Sequence, residues 1–593
     1  MALLVPPVAG AEEVYYGGAT PDASLLRNTP SWFSGTNSLF PGSLPSPGYF
    51  GNTVTINYTT DVSITNPRYV FGGLVENGTA QNNSVFLQNG KVENNLYGGY
   101  ARSTSVAAVT ATDNTVTISG GMVGSNSVYG GFAWSSPGDA TATHNTVTIS
   151  DGEVDWWVYG GYAYSSSSTA TATDNIVNIS GGKVSGNVFG GFAVSNSGNA
   201  DATHNTVTIS GSPTITGNLY GGSATTTTGT AYAFTDNTLN LKTSDPLTVL
   251  GLHNFQYLNF TLPGNINTTT PMLKITGTGG LNYGGTGIEL DIRTPAATLA
   301  DGDYILLRTE DDTQALTDID AYSLYGEAFT GSGADRTLSL TTGRVRGDFT
   351  VKLGGSGKDL LLNISSYNAP NATLTWQGTV SDNRWTNYST DIYKSPANWV
   401  GLDPIGGGST SLQYLDGDTV RFDDSAHRFD VTIAPEGVAP ASVSFDNSAS
   451  HDYILTGGPI TGTGSLTKTG AGKLTLANDN TYTGATTVST GILNLTGSLQ
   501  SDVTVQNGAT LALSGTVGNS KNVIIASGGT LNAYQGGNIA GDLTANGAML
   551  NFYLPQGIDH DETLLTVGGT ATVDNSTIKL LLDGSFNLSQ LTP

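Results

Sequence analysis

Five residues that can hold or pass a proton return at one phase of this chain: Asp113, His144, Asp174, His204 and Asp236. Acid and imidazole alternate, at steps of 31, 30, 30 and 32 residues. If equal phases stack about 4.8 Å apart, as neighbouring strands do, each imidazolium lies between two carboxylates and relieves the repulsion of an all-aspartate column. The parity of these positions places them on an outer strand face, so the expected object is an acid–imidazole ladder. Metal binding is disfavoured, because successive side chains on a flat face do not converge on one ion.

Other groups capable of chemistry are scattered. The six histidines are His144, His204, His253, His427, His451 and His560, with no serine motif beside them; neither Gly-x-Ser-x-Gly nor Gly-Asp-Ser occurs. Cysteine is absent, which excludes a thiol nucleophile, a disulfide framework and cysteine-ligated metal. Asp301, Asp303, Glu310, Asp311, Asp312, Asp318 and Asp320 are oxygen ligands by type, but their order matches no calcium loop and reads as a solvated acidic face. Arg346-Gly347-Asp348 spells the integrin-recognition tripeptide between two strand-like runs, where a turn would present it. Carboxylates from separate rungs could still meet, so a glycan-cleaving hydrolase or lyase is the alternative reading. Against it, 51–243 holds only Arg68, Lys91, Arg102, Lys183 and Lys242 as cations, too few for a polyanion cleft. No catalytic residue, metal or cofactor is assigned.

The elements that must position these groups repeat. Asn52, Asn83, Asn114, Asn145, Asn175, Asn205 and Asn237 recur at steps of 31, 31, 31, 30, 30 and 32. Two residues after each stands Val54, Val85, Val116, Val147, Val177, Val207 or Leu239, and four after it Ile56, Leu87, Ile118, Ile149, Ile179, Ile209 or Leu241. Apolar residues alternating with Thr or Asn describe a half-buried strand. An aromatic followed by two glycines also returns once per unit, from Phe71-Gly-Gly to Tyr220-Gly-Gly. Units this short cannot bury an apolar face alone, whereas stacked units share one core. The asparagines share the parity of the core positions and should form an inward hydrogen-bonded ladder. Tyr100, Phe132, Tyr162 and Phe192 make one aromatic column, and Arg102, Trp134, Tyr164 and Val194 the next but one; core or ladder filling is the expected role. Trp156-Trp157 replaces Ser-Asn or Gly-Asn at a turn, so at least one indole should face water.

Composition agrees with an exported array. Of 593 residues 37% are hydrophobic and only 12% charged, with 79 glycines. The net charge of −25 makes nucleic acid and anionic membrane poor partners. Residues 1–11 end in Ala9-Gly-Ala11 and read as the remnant of a secretory signal. A proline-rich cap over 12–50, with Trp32, Phe33 and Phe40, precedes the 51–243 array; irregular rungs follow over 244–370, tryptophan-containing connector rungs over 371–460, and shorter rungs over 461–593. In this last part Gly472, Gly491, Gly508, Gly528, Gly547 and Gly568 open turns at steps of 19, 17, 20, 19 and 21.

Trp376-Gln-Gly, Trp385, Asn398-Trp399, the acidic run Asp416 to Asp424, and Gly464 to Val488 resemble bacterial autotransporter passengers, the last stretch through Leu493 resembling the passenger-associated transport repeat. The likeness covers about 374–497. It implies an all-β chain folded as an elongated right-handed parallel β-helix, a β-solenoid with an N-terminal cap, exported to the outer membrane surface or beyond. It also implies a β-barrel translocator, on a continuation past Pro593 or already removed. The reading reached is a surface passenger acting as an adhesin or self-associating protein, its partners a host or environmental surface (protein or glycan) or copies of itself. Thr117, Thr148 and Thr208 on an outward uncharged row, with Trp156 and Trp157, are its candidate contacts.

Overall fold

The structure is a computed structural model. It describes Glu13–Gly17, Ser38–Leu39, Tyr49–Phe50, 52–57 and most of 66–582, leaving out 264–265, 283, 294–298, 312–315, 317–318, 325, 332–334, 341–343, 355–356, 379–382, 387–397, 403–408, 436 and 556–562 of that span. The apolar run 1–11, the Trp32, Phe33 and Phe40 of the expected cap, Asp312, Asp318 and His560 lie outside the described residues. Among the described residues there is no α-helix, and no helix long and apolar enough to cross a membrane. The chain is a parallel β-solenoid in two compact units: Met1–Thr294 with Ala300–Ser339 and Gly347–Ser366, and Pro295–Leu299 with Leu340–Arg346 and Tyr367–Pro593.

In the first unit each 30-residue repeat contributes one strand to each of three faces. The first face stacks strands such as Thr115–Val123, Thr146–Val154, Ile176–Ile179 and Thr206–Gly211, with Val54, Val85, Val116, Val147, Val177, Val207 and Leu239 in register. These residues and the isoleucines two places on are fully buried, each such side chain adding about 1.5–3 kcal/mol of hydrophobic free energy. The second face stacks Leu96–Ser103, Val128–Ser135, Val158–Ser165 and Val188–Ser195. The third stacks short strands such as Ala140–Thr143 and Ala170–Thr173. Ala111, Ala142, Ala172 and Ala202 of this third face cluster with Ala101, Ala133, Ala163 and Ala193 of the second. The sequence alternates Ala with Thr there because only a methyl group fits between two closely packed sheets. Where the repeat fades, pairing changes: Gly302–Thr309 runs antiparallel to Asp359–Asn368.

The second unit opens on the tryptophans. Trp376, Trp385, Trp399, Tyr414 and Phe422 are buried together, with Trp376 and Trp385 5.1 and 5.3 Å from Trp399. Strand Trp399–Leu402 runs antiparallel to Thr373–Trp376, and from Thr419–Asp423 onward the stacking is parallel. Asp418 anchors this opening, accepting from the Arg344 guanidinium at 2.7 Å and from the N–H groups of Ala372 and Leu415, all out of contact with water. Its interior column reads Phe422, Phe445, Lys468, Val488, Val505.

Candidate functional site

The asparagine column is interior and continuous. The side-chain amides of Asn52, Asn83, Asn114, Asn145, Asn175 and Asn205 each donate to the carbonyl oxygen of the next asparagine, at 2.8–3.3 Å. The same oxygen also accepts the backbone N–H of the preceding asparagine, as Asn145 Oδ1 does from Asn114. The second amide hydrogen is spent on the third face, Asn145 donating to Ala111 and Asn175 to Ala142. Fully buried amides are therefore satisfied three ways, and each ladder residue ties its rung to its neighbours and to another face. This explains the paired glycines, whose purpose the sequence did not disclose. Gly130 and Gly131 both face Asn145, and a methyl group on either would overlap the asparagine or the carbonyl of Gly160.

The position before each asparagine is a corner and not part of a flat face. Asp113, His144, Asp174, His204 and Asp236 all have left-handed backbone, φ between 55° and 61°, and so does Asn82 in the preceding rung at 57°. Asn, Asp and His are the non-glycine residues best suited to that conformation. Backbone geometry therefore accounts for the residue types, and the acid–imidazole ladder is corrected. Of its four steps only His204–Asp236 brings imidazole and carboxylate into contact, Nε2 to Oδ2 at 2.9 Å, while His144 Nδ1 meets the hydroxyl of Thr143.

Outside the core, Thr117, Thr148 and Thr208 share one half-buried outward column of the first face, continued by Asn178 and Asn240. The aromatics of the second face stand opposite its interior valines and alanines. Phe71, Tyr97, Tyr129, Tyr159, Phe189 and Tyr220 stack ring on ring at 4.6–5.0 Å. His253 extends the stack onto Tyr220 at 4.5 Å, and burial lowers its imidazole below the ordinary histidine value. Tyr100, Phe132, Tyr162 and Phe192 form a second stack meeting the first edge to face. Arg102 lies over Trp134, and Trp134 stacks on Tyr164. The columns thus form a largely buried aromatic cluster apart from the interior valines and alanines, their ring faces spent on one another. Trp156 is the exception, 49% exposed and backed by Trp157 at 5.6 Å.

The remaining candidates do not converge. Asp303 pairs with Lys352 at 2.8 Å, which lowers its carboxyl below the ordinary value; Glu310 pairs with Lys274, Asp311 accepts from the Gly279 N–H, and Asp320 from those of Gly287 and Ile288. No cluster of three metal-ligating side chains occurs among the described residues. Arg346-Gly347-Asp348 opens the strand Arg346–Gly354 with Gly347 buried, so the expected turn is corrected to extended backbone. Around His451 the structure gathers a set the sequence reading passed over: Ser448 Oγ at 3.0 Å, Ser450 Oγ at 3.1 Å and Asp424 Oδ1 at 3.4 Å. All three meet Nδ1, whereas a proton relay needs the acid on one ring nitrogen and the hydroxyl on the other.

The stretch 466–495 matches the passenger-associated-transport-repeat family. Two segments are similar to proteins described as extracellular serine protease from Serratia marcescens. One is 52% identical over 59 residues, 10% of this chain and 6% of the relative; the other is 44% identical over 71 residues, 12% and 7%. The chain thus matches less than a tenth of the length of these relatives. No solved structure matches it.

Proposed function

We propose that the chain is an autotransporter passenger, exposed at the bacterial surface or released outside the cell, and that it acts as an adhesive, self-associating protein through the outer side of its first face. The observation that carries this is the chemistry of that face. Thr115, Thr146, Ile176, Thr206 and Thr238 form one outward row, and Thr117, Thr148, Asn178, Thr208 and Asn240 the other. Neither row holds a charge, although the protein carries −25. Asp113, Asp139, Asp174 and Asp236 lie at turns beside the faces, and Asp151, Glu153 and Lys183, charges carried by the first-face strands, lie further along those strands than the two rows. Rows of hydroxyls and amides can meet an identical face through many weak hydrogen bonds, each about 0.5–1.5 kcal/mol, with avidity from their number. The Serratia relatives are named proteases, but the Ser448, His451 and Asp424 geometry gives proteolysis no support.

Lysine at Thr117, Thr148 and Thr208 together would place like charges on facing copies. Cells displaying that variant should settle as single cells where wild-type cells clump, with the melting temperature unchanged. Undiminished clumping would exclude this face.

A further inference from the structure

At the corner joining the first face to the second, most rungs carry an amide. Asn126 donates to Asn94 at 2.8 Å, the Ser127 N–H to Asn95 at 3.0 Å, and Asn218 donates twice to Asn187 through its N–H and side chain. Residue 157 is the register equivalent of Asn95, Ser127, Asn187 and Asn218, since Leu96, Val128, Val158, Val188 and Leu219 pair in sequence. Trp157 therefore interrupts a hydrogen-bonded corner, and Gly186 beneath it is the residue that admits the indole. A local rule broken in this way points to function when nothing in the packing requires it.

The interruption creates two features. Trp157 meets Tyr159 and Phe189 edge-on at 6.1 and 6.0 Å, so it is held rigidly, and Trp156 lies against it with interplanar angle 29° and its other side open to water. One rung on, Asn187 keeps its side-chain N–H donors unspent among the described hydrogen bonds, because the oxygen that would receive them is absent at Trp157.

We propose that Trp156, backed by Trp157 and with the Asn187 amide in register with Trp157 one rung on, is a binding site for one pyranose ring of a neutral glycan. An indole plate covers the C–H face of a sugar, and a neighbouring amide hydrogen-bonds its hydroxyls. The surroundings select this occupant. Glu153 and Lys183 neutralise each other at 2.5 Å, so no net cation is left for an anionic glycan, and the acidic chain repels one. A peptide strand finds no open edge either, because Thr146–Val154 and Val158–Ser165 are paired on both sides. The site lies off the threonine rows and is independent of the self-association proposed above.

The test titrates the whole chain with maltohexaose, laminarihexaose, chitohexaose and mannohexaose, following tryptophan fluorescence and calorimetric heat. At least one probe should bind saturably, with affinity about tenfold or more weaker in Trp156→Ala and unchanged in the triple threonine variant. Trp157→Asn restores the corner amide; it should bind as poorly as Trp156→Ala while melting no lower than wild type, which separates loss of the site from loss of fold. Failure of all four probes to bind, or binding that Trp156→Ala leaves intact, overturns the proposal.

Discussion

A single dihedral angle decides which residues stand before the ladder asparagines. At His144, φ is 55°, a conformation that costs an ordinary L-residue about 1–2 kcal/mol and a β-branched one more. His144→Asn should therefore leave the melting temperature within a degree or two, while His144→Val should destabilise by about 1–2 kcal/mol, as read by denaturant unfolding. Equal losses from Asn and Val would show that the backbone angle does not select the residue. The alternation of Asp and His was legible as a pattern but not as a cause, because corner and face have the same parity in a linear sequence. Asn82 was the available clue: it occupies the same position in an earlier rung and carries no charge.

At the level of strands, the Asn-x-Val-x-Ile stretches were readable because one side of a sheet is buried and alternation records it. The second face was not, since two successive glycines both turn toward the ladder and the aromatics on either side face outward, which erases the period of two. The transport repeat hides another departure from pattern. In strand Ser465–Lys468 the interior column between Phe445 and Val488 is occupied by Lys468, fully buried, its ammonium donating to the Gly470 carbonyl. Burial pushes its pKa down from 10.5 to about 8. The unfolded chain holds that proton more tightly, so the cost is full below pH 8 and is relieved as pH rises from about 8 through 10.5. Lys468→Met should raise stability by about 1–3 kcal/mol at pH 7, with the gain narrowing above pH 8, as read by denaturant unfolding at several pH values. A gain that does not change with pH would mean that packing, and not the buried charge, sets the difference.

Across the array as a whole, each repeat makes the same bonds to the one before and the one after, so stability should scale with rung number instead of depending on any one rung. Deleting 175–204 joins Asp174 to Asn205 and brings Asn205 opposite Asn145. This 30-residue excision should leave a folded chain by circular dichroism and protease resistance, whereas removal of about half that length should not. Equal damage from both would show that the rungs are not interchangeable. The ladder also has an arrow. Every bond between ladder asparagines runs from a rung to its successor, ending at Asn237, whose side-chain N–H groups go to Ala202 and Ala233. A partly formed array therefore offers unpaired hydrogens at its growing margin and lone pairs at its starting margin. Such a seam can only lengthen by matching unlike ends, much as a polar filament does, and a rung arriving reversed finds donor facing donor.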